Sequence, residues 1–476
     1  MPPQVHQRSV KETTPTLADM IPPPAQTTQA PAPLPRPQLR RAIWTLTWPV
    51  IAEQSLMTLT QVVDSIMVAK LGAAAIAAVN LSFQPFWLIS SIFMGLSIGT
   101  TALVARHAGA REPEQAASVT RQSLVLAAAF GLVVTALALV FARQIVALMG
   151  AKPDVIALGL GYVRALAPGL FFLIIGTVIS AAMRGMGDTR TPMIVNTITN
   201  VAHIGTNWLL IFGHWGFPKL GVTGAGVSTS LTRVSGGLWL FLILVLARSA
   251  IRIDLRKLFH VDWPTMGRVI RIGLPAAAER AFTSTGQMLY AREVASLGTV
   301  PVAAHYIALN VESLSYMPGM GFSTAASTLV GQNLGARDPK RAEDSAWETL
   351  RSGLMVMGTM GVLFFLFPVP FLHVFTRDPA IVGLAVTPLR IVAFTEFFEC
   401  VGFVVPGALR GAGDTQSVLW VTVSGVAIRV LLTALFVFGF HLGLPGAWLG
   451  MLLDWVFRSS AMVWYFRTGR WKRVRV

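Results

Sequence analysis

Charge is scarce in this chain: 13% of its 476 residues are Asp, Glu, Lys or Arg, against 54% hydrophobic. A soluble domain carries about 25% charged residues, so a soluble fold of this length would lack the polar surface to cover two or three cores. Acid is scarcer still, with 22 Asp and Glu against 38 Lys and Arg. Cysteine is almost missing: the single Cys400 sits in an apolar segment, which excludes an intrachain disulfide and a cysteine metal site. The sequence also lacks Gly-x-Ser-x-Gly, His-Glu-x-x-His, a Gly-Lys-Ser/Thr phosphate loop and paired Asp-rich prenyl-diphosphate motifs. These absences argue against an enzyme and against any cofactor. They leave an ion gradient, of H⁺ or Na⁺, as the energy source.

Long apolar runs are what the chain has instead. Broken at Gly/Pro and at charged clusters, they predict twelve membrane-spanning helices. The first six lie near 42–69, 76–105, 118–142, 154–183, 192–212 and 224–247. The second six lie near 268–296, 302–331, 346–368, 379–409, 418–438 and 446–466. Residues 1–38 are rich in proline and hold no apolar run, so they read as a disordered tail rather than a secretory signal peptide.

The net charge of +16 would suggest nucleic acid in a soluble protein, but here position decides. The loops and tails on the side of the N-terminus hold roughly twenty-five Lys and Arg, the other side about five: Lys70, Arg143, Lys152, Lys219 and Arg377. That bias places both termini in the cytoplasm, in the plasma (inner) membrane, with the basic rim against anionic lipid and no role in binding nucleic acid.

The chain also repeats itself. Ala110-Arg111-Glu112-Pro113 returns as Ala336-Arg337-Asp338-Pro339, and Arg184-Gly185-Met186-Gly187-Asp188-Thr189 as Arg410-Gly411-Ala412-Gly413-Asp414-Thr415, each 226 residues on. The same offset pairs Pro49 with Pro275, Glu53 with Glu279 and Leu71-Gly72 with Leu297-Gly298. It then slips by four, so that Leu220-Gly221 matches Leu442-Gly443. Six spans per repeat is an even number, so the halves are parallel, related by an axis along the membrane normal. The expected architecture is an all-α membrane protein of two six-helix lobes, 39–250 and 267–466, with a cytoplasmic linker at 251–266 and a basic tail at 467–476. The Arg-Gly-x-Gly-Asp-Thr turns supply glycines for a tight bend and an Asp or Thr to cap the next helix.

Ionisable groups inside a bilayer cost several kcal/mol and need a reason. In the first half these are Glu53 and Asp64 on one face of helix one, with Asn196, Asn200, His203 and Asn207 on helix five. In the second half they are Glu279 and Arg280 on helix seven, Glu312 on helix eight, Glu396 and Glu399 on helix ten, and Arg429 on helix eleven. Glu53 and Glu279 also suit helix-packing hydrogen bonds, and Glu396 or Glu399 suits a structural ion pair with Arg429. Asp64 and Glu312 have no basic neighbour in sequence. A buried carboxylate without one takes up a proton or binds a cation, which is the behaviour of an ion-coupling site. His203 lacks a second ligand at metal-binding spacing. Phe83, Gln84, Phe86, Trp87, Met317 and Met320 are candidates to line a cleft between the lobes.

The order and spacing of several motifs carry a resemblance. They are Trp48-Pro49-Val50, Val63-Asp64-Ser65-Ile66-Met67-Val68 with Lys70-Leu71-Gly72, Gly109-Ala110-Arg111, the two Arg-Gly-x-Gly-Asp-Thr turns, and Leu329 through Ala336. Together, over about residues 39–466, they resemble the multidrug and toxic compound extrusion (MATE) family. The resemblance implies a monomeric antiporter that exports amphipathic, cationic compounds in exchange for H⁺ or Na⁺, by alternating access of two lobes. Asp64 is similar to the helix-one aspartate linked in the family to ion coupling. Asn207 stands where many members carry Asp, and His203 where they carry Asn, so one acid is missing from the first lobe. Glu279, Glu312 and Glu396 resemble second-lobe acids of other members in type and helix. A lipid-linked oligosaccharide flippase of the same superfamily is the nearest alternative, and a membrane-embedded transferase a more distant one.

Overall fold

The computed structural model describes residues 36–476 apart from 151, 247–252, 254, 258–259 and 475, and at 87, 88, 154 and 255 it describes the backbone alone. The expected tail therefore lies outside the described residues up to 35, as do 251, 252, 254, 258 and 259 of the 251–266 linker.

Twelve helices of at least 20 residues account for most of the described chain. The first lobe holds α1 (Arg36–Ala69), α2 (Ala73–Gly109), α3 (Pro113–Val140), α4 (Pro153–Met186), α5 (Arg190–Phe212) and α6 (Val222–Val245). The second holds α7 (Trp263–Ala295), α8 (Thr299–Gly335), α9 (Pro339–Leu366), α10 (Pro379–Gly411), α11 (Thr415–Ala434) and α12 (Gly443–Arg467). Short helices Ala142–Leu148 and Pro368–His373 follow α3 and α9 at matching places in the repeat. Hydropathy places the starts of α1, α3 and α9 late, at 42, 118 and 346. Their first turns are polar and continue the helix past the apolar segment.

Seven of the twelve are long and apolar enough to cross a bilayer on composition alone. The other five are α1, α5, α7, α8 and α12. These carry most of the buried ionisable side chains, including Glu53, His203, Glu279, Glu312 and Asp454.

The repeat persists in backbone geometry. Arg111 and Arg337 both take left-handed φ, at 61° and 60°, and Gly187 and Gly413 do so at 90° and 86°. Asp188 and Asp414 cap the helices that follow, accepting from the Thr191 and Ser417 N–H at 3.0 and 3.2 Å.

At the end of the bundle that carries both chain termini, here called the basic face, the lobes exchange their first helices. Ile43 and Leu46 of α1 pack in a second-lobe core with Phe322, Ala326 and Leu350. The repeat-equivalent Val269 and Ile272 of α7 pack in the first-lobe core. Helices α2 and α8 cross so closely there that only glycine fits. A Cβ on Gly109 would come within 1.8 Å of the Gln332 carbonyl oxygen, and one on Gly335 within 1.9 Å of that of Arg106. Arg106 Nη2 donates to the Ala412 carbonyl at 2.9 Å, Gln332 Nε2 to that of Gly185 at 3.0 Å and Thr328 Oγ1 to that of Arg184 at 2.9 Å. Among the described residues, Ser55 Oγ with Met317 Sδ, 3.4 Å apart, is the inter-lobe hydrogen bond farthest from the basic face. The lobes are thus sealed from mid-bundle to that face.

Gly335→Ala should break this seal. Relieving an over-packed contact of this kind costs about 1–3 kcal/mol, or about a tenfold shift in population per 1.4 kcal/mol. Ala105 is fully buried in the seam. An Ala105→Cys thiol should label about ten times faster or more when Gly335→Ala is added, and an unchanged rate would show that the seam does not limit opening.

Candidate functional site

Glu53 and Glu279 stand in equivalent, compensated positions. Arg184 Nη2, at the end of α4, donates to both Glu53 oxygens at 3.0 Å, and Asn196 Nδ2 donates to Oε1 at 2.7 Å. In the second lobe Arg410 Nη2 donates to Glu279 Oε1 at 2.5 Å, with the Thr422 hydroxyl 3.4 Å from the same oxygen. Arg184/Arg410 and Asn196/Thr422 are each 226 residues apart. The arginines of the two Arg-Gly-x-Gly-Asp-Thr turns thus neutralise the helix-one and helix-seven acids. Asn200 Nδ2 turns to the Asn196 carbonyl at 2.7 Å and joins no acid.

Asp64 is held differently. Asn207 Nδ2 donates to Oδ1 at 2.7 Å, and His203 Nε2 lies 2.9 Å from Oδ2. His203 Nδ1 is 3.1 Å from both Thr232 Oγ1 and Ser228 Oγ. The Thr232 hydroxyl proton is committed to the Ser228 carbonyl at 2.9 Å, so toward the imidazole Thr232 acts as acceptor. His203 can therefore carry N–H on both nitrogens. The Asp64 side chain remains 31% exposed while His203 is buried.

Shifted by the repeat offsets, Asp64, His203 and Thr232 become Tyr290, Arg429 and Asp454. The Arg429 guanidinium lies 5.8 Å from the Tyr290 ring centre, and its Nε donates to Asp454 Oδ2 at 2.8 Å. Arg458 Nη2 donates to the same oxygen at 2.5 Å. The two lobes use one three-position frame with polarity reversed. The acid stands on α1 in the first and on α12 in the second.

This corrects the expected pairing of Arg429 with Glu396 or Glu399. Its ion-pair partner is Asp454, which is fully buried. Glu396 Oε2 instead accepts from the Ser315 hydroxyl, and its Oε1 is buried without a partner. Glu399 Oε2 is likewise buried and unpartnered. Glu312, also buried, forms no hydrogen bond or ion pair among the described residues. Glu312, Glu396 and Glu399 act electrostatically on one another, with Arg429 acting on both Glu312 and Glu399, and Arg458 on Glu399. Four carboxylates thus share two guanidiniums, and the first-lobe equivalents of the three glutamates, Phe86, Leu170 and Leu173, are apolar. The acid cluster belongs to the second lobe alone.

Among the cleft candidates, Phe86 is 2% exposed and part of the first-lobe core, which removes it from the cleft. Phe83 is partly buried against that core beneath Arg233, Gln84 is exposed, and Met317 and Met320 are half-buried on α8. The Trp87 side chain lies outside the described residues. Sequence reasoning missed Asp454, Arg458, Arg233 and the ion-pairing role of Arg184 and Arg410. A lone ionisable residue about eleven positions into a span, the rule that picks out Glu312, would have found Asp454 and Arg233.

Known proteins share this plan. The MatE family model matches residues 49–209 and 275–435, two segments at the same 226-residue offset. A probable multidrug resistance protein NorM of Thermotoga maritima is 32% identical over 439 residues, covering 92% of this chain and 94% of that protein. The multidrug resistance protein MdtK of Yersinia pseudotuberculosis is 29% identical, over 87% of this chain and 88% of its own length. A MOP superfamily transporter from Pyrococcus furiosus, whose binding pocket is described as reversed in polarity, superposes with a TM-score of 0.84 at 26% identity. That match covers 92% of this chain and 97% of the other. A MATE family transporter solved in an outward-facing conformation superposes with a TM-score of 0.84 at 25% identity over 92% of this chain and 97% of its own. Two matched six-helix lobes, an acid cluster at membrane depth and these likenesses together show that the chain belongs to the MATE family of multidrug efflux transporters, multi-pass membrane proteins that are not enzymes.

Proposed function

We propose that the protein is a proton-coupled antiporter that exports amphipathic compounds across the plasma membrane, working as a monomer with its basic face in the cytoplasm. The carrying observation is the excess of carboxylates over guanidiniums in the second lobe. At membrane depth that excess is tolerable only when protons, or a cation, offset it. With the basic face sealed, protons enter from the opposite side and neutralise Glu312, Glu396 and Glu399. The second lobe then repacks, and the bound compound is released outward. Protons leave to the cytoplasm when the seam opens there. The Asp64–His203 pair is a second proton site in the first lobe.

Two features favour H⁺ over Na⁺. Both Asp64 oxygens face N–H groups rather than the oxygen ligands a hard cation needs. Among the described residues no three His, Cys, Asp or Glu side chains are placed to hold a metal ion. Inverted vesicles given ΔpH alone should accumulate substrate, and vesicles given ΔNa⁺ alone should not. The reverse result would assign the acids to Na⁺.

A further inference from the structure

Arginines that are both deep and at least partly buried fall into two groups; Arg164 and Arg390, equally deep, are exposed. Arg184, Arg410, Arg429 and Arg458 each meet a buried carboxylate. Arg233 and Arg280 meet none, and neither donates a hydrogen bond to any described residue. An arginine at this depth without an acceptor is costly, and its planar fork of donors matches a carboxylate or sulfonate in two-point contact.

Arg233, about 17 Å along α6 from Val222 at 1.5 Å per residue, lies with its guanidinium carbon 5.9 Å from the centre of the Phe83 ring. Its Nη1 is sealed from solvent without a partner. Its titratable neighbours are Tyr162 of α4 and, beyond it, Asp64 of α1. Asp64 is not its counter-ion, because both Asp64 oxygens are engaged by His203 and Asn207. Arg280 stands one turn beyond Ala276 and Ala277, the residues that pack on Gly95 and close the α2–α7 seam. It therefore lies at the level where the lobes part, beside Tyr316 of α8, which is 40% exposed and which also feels Glu399, Glu312 and Arg410, though neither of these acids forms an ion pair with Arg280. A lobe and a cleft floor that each present an unmatched cation suit a substrate of the opposite sign, and the cationic compounds suggested by resemblance do not account for them.

We propose that the exported compounds carry an anionic oxygen group, a carboxylate or sulfonate on an amphipathic body, which pairs with Arg280 at the cleft floor and Arg233 in the first lobe. This names the substrate class of the antiporter proposed above and rests on that reading. It also fixes the electrical sign. Exchange of one monoanion outward for one proton inward moves two positive charges into the cell, whereas exchange of a monocation for a proton moves none.

Inverted vesicles energised by ΔpH test it with two probes, radiolabelled naphthalenesulfonate as a permanent amphipathic monoanion and ethidium as an amphipathic cation. Naphthalenesulfonate should accumulate, and faster under a lumen-positive potential. Arg233→Gln or Arg280→Gln should lower its kcat/KM about tenfold or more, the loss of one charge-assisted pair, with partial recovery in the Lys variants and no loss for ethidium. Unchanged melting temperatures would exclude misfolding as the cause. Transport of ethidium without naphthalenesulfonate, or equal losses for both probes in the Gln variants, would overturn the inference and leave the antiporter standing. Failure of both probes under ΔpH in the wild-type protein would count against the antiporter itself.

Discussion

Glu312→Gln and Glu399→Gln should each abolish gradient-driven efflux, by about a hundredfold or more if each relays a proton, while melting at or above the wild-type temperature. The two halves of this expectation come from one fact. Both acids are buried, and neither has an ion-pair partner among the described residues. A group kept charged in such a place destabilises the fold, so an isosteric neutral amide removes a cost rather than a bond. A group that cycles its proton loses that cycle when amidated. A purely structural role predicts the opposite pattern, with lower melting temperature and transport in proportion to folded protein. Glu396→Gln is less clean because the Ser315 hydroxyl donates to it, and some stability should be lost with that bond.

Asp454→Asn should be among the most destabilising single changes in the second lobe, at about 3–5 kcal/mol. Asp454 is fully buried and takes Arg429 and Arg458 on the same oxygen, at 2.8 and 2.5 Å. Removing its charge strands two guanidiniums from different helices, α11 and α12, in a low-dielectric interior. Thermal unfolding in detergent measures the loss. Adding Arg429→Gln should restore part of it, since one stranded charge is then gone, and the non-additivity reports the coupling directly. A melting curve indistinguishable from wild type would mean that water reaches this pair.

Much of the architecture was legible because it rests on periodic apolar runs and on a repeat. The 226-residue offset relates Gly109 to Gly335 and Ile43 to Val269, and these pairs occupy equivalent places in the folded seam. The pairing of side chains was less legible, for two physical reasons. First, the frame that joins Asp64 to His203 also joins Tyr290 to Arg429 and Asp454, but with the acid moved to another helix. Residue matching cannot see an equivalence whose chemistry is reversed. Second, the partners of Glu53 and Glu279 are arginines at helix ends, Arg184 and Arg410. Their place in loop motifs suggested turns and orientation signals, whereas their long side chains reach back into the bundle.

The central claim is that substrate and proton exclude one another from the same protein, and linkage makes that measurable without a membrane. Purified protein in weakly buffered detergent, mixed with transported substrate, should release protons on binding. A pH indicator should read about one proton or more per substrate bound, by the reciprocity of binding linkage, and Glu312→Gln should release fewer. Binding that leaves the pH unchanged, or that takes protons up, would contradict proton-coupled antiport.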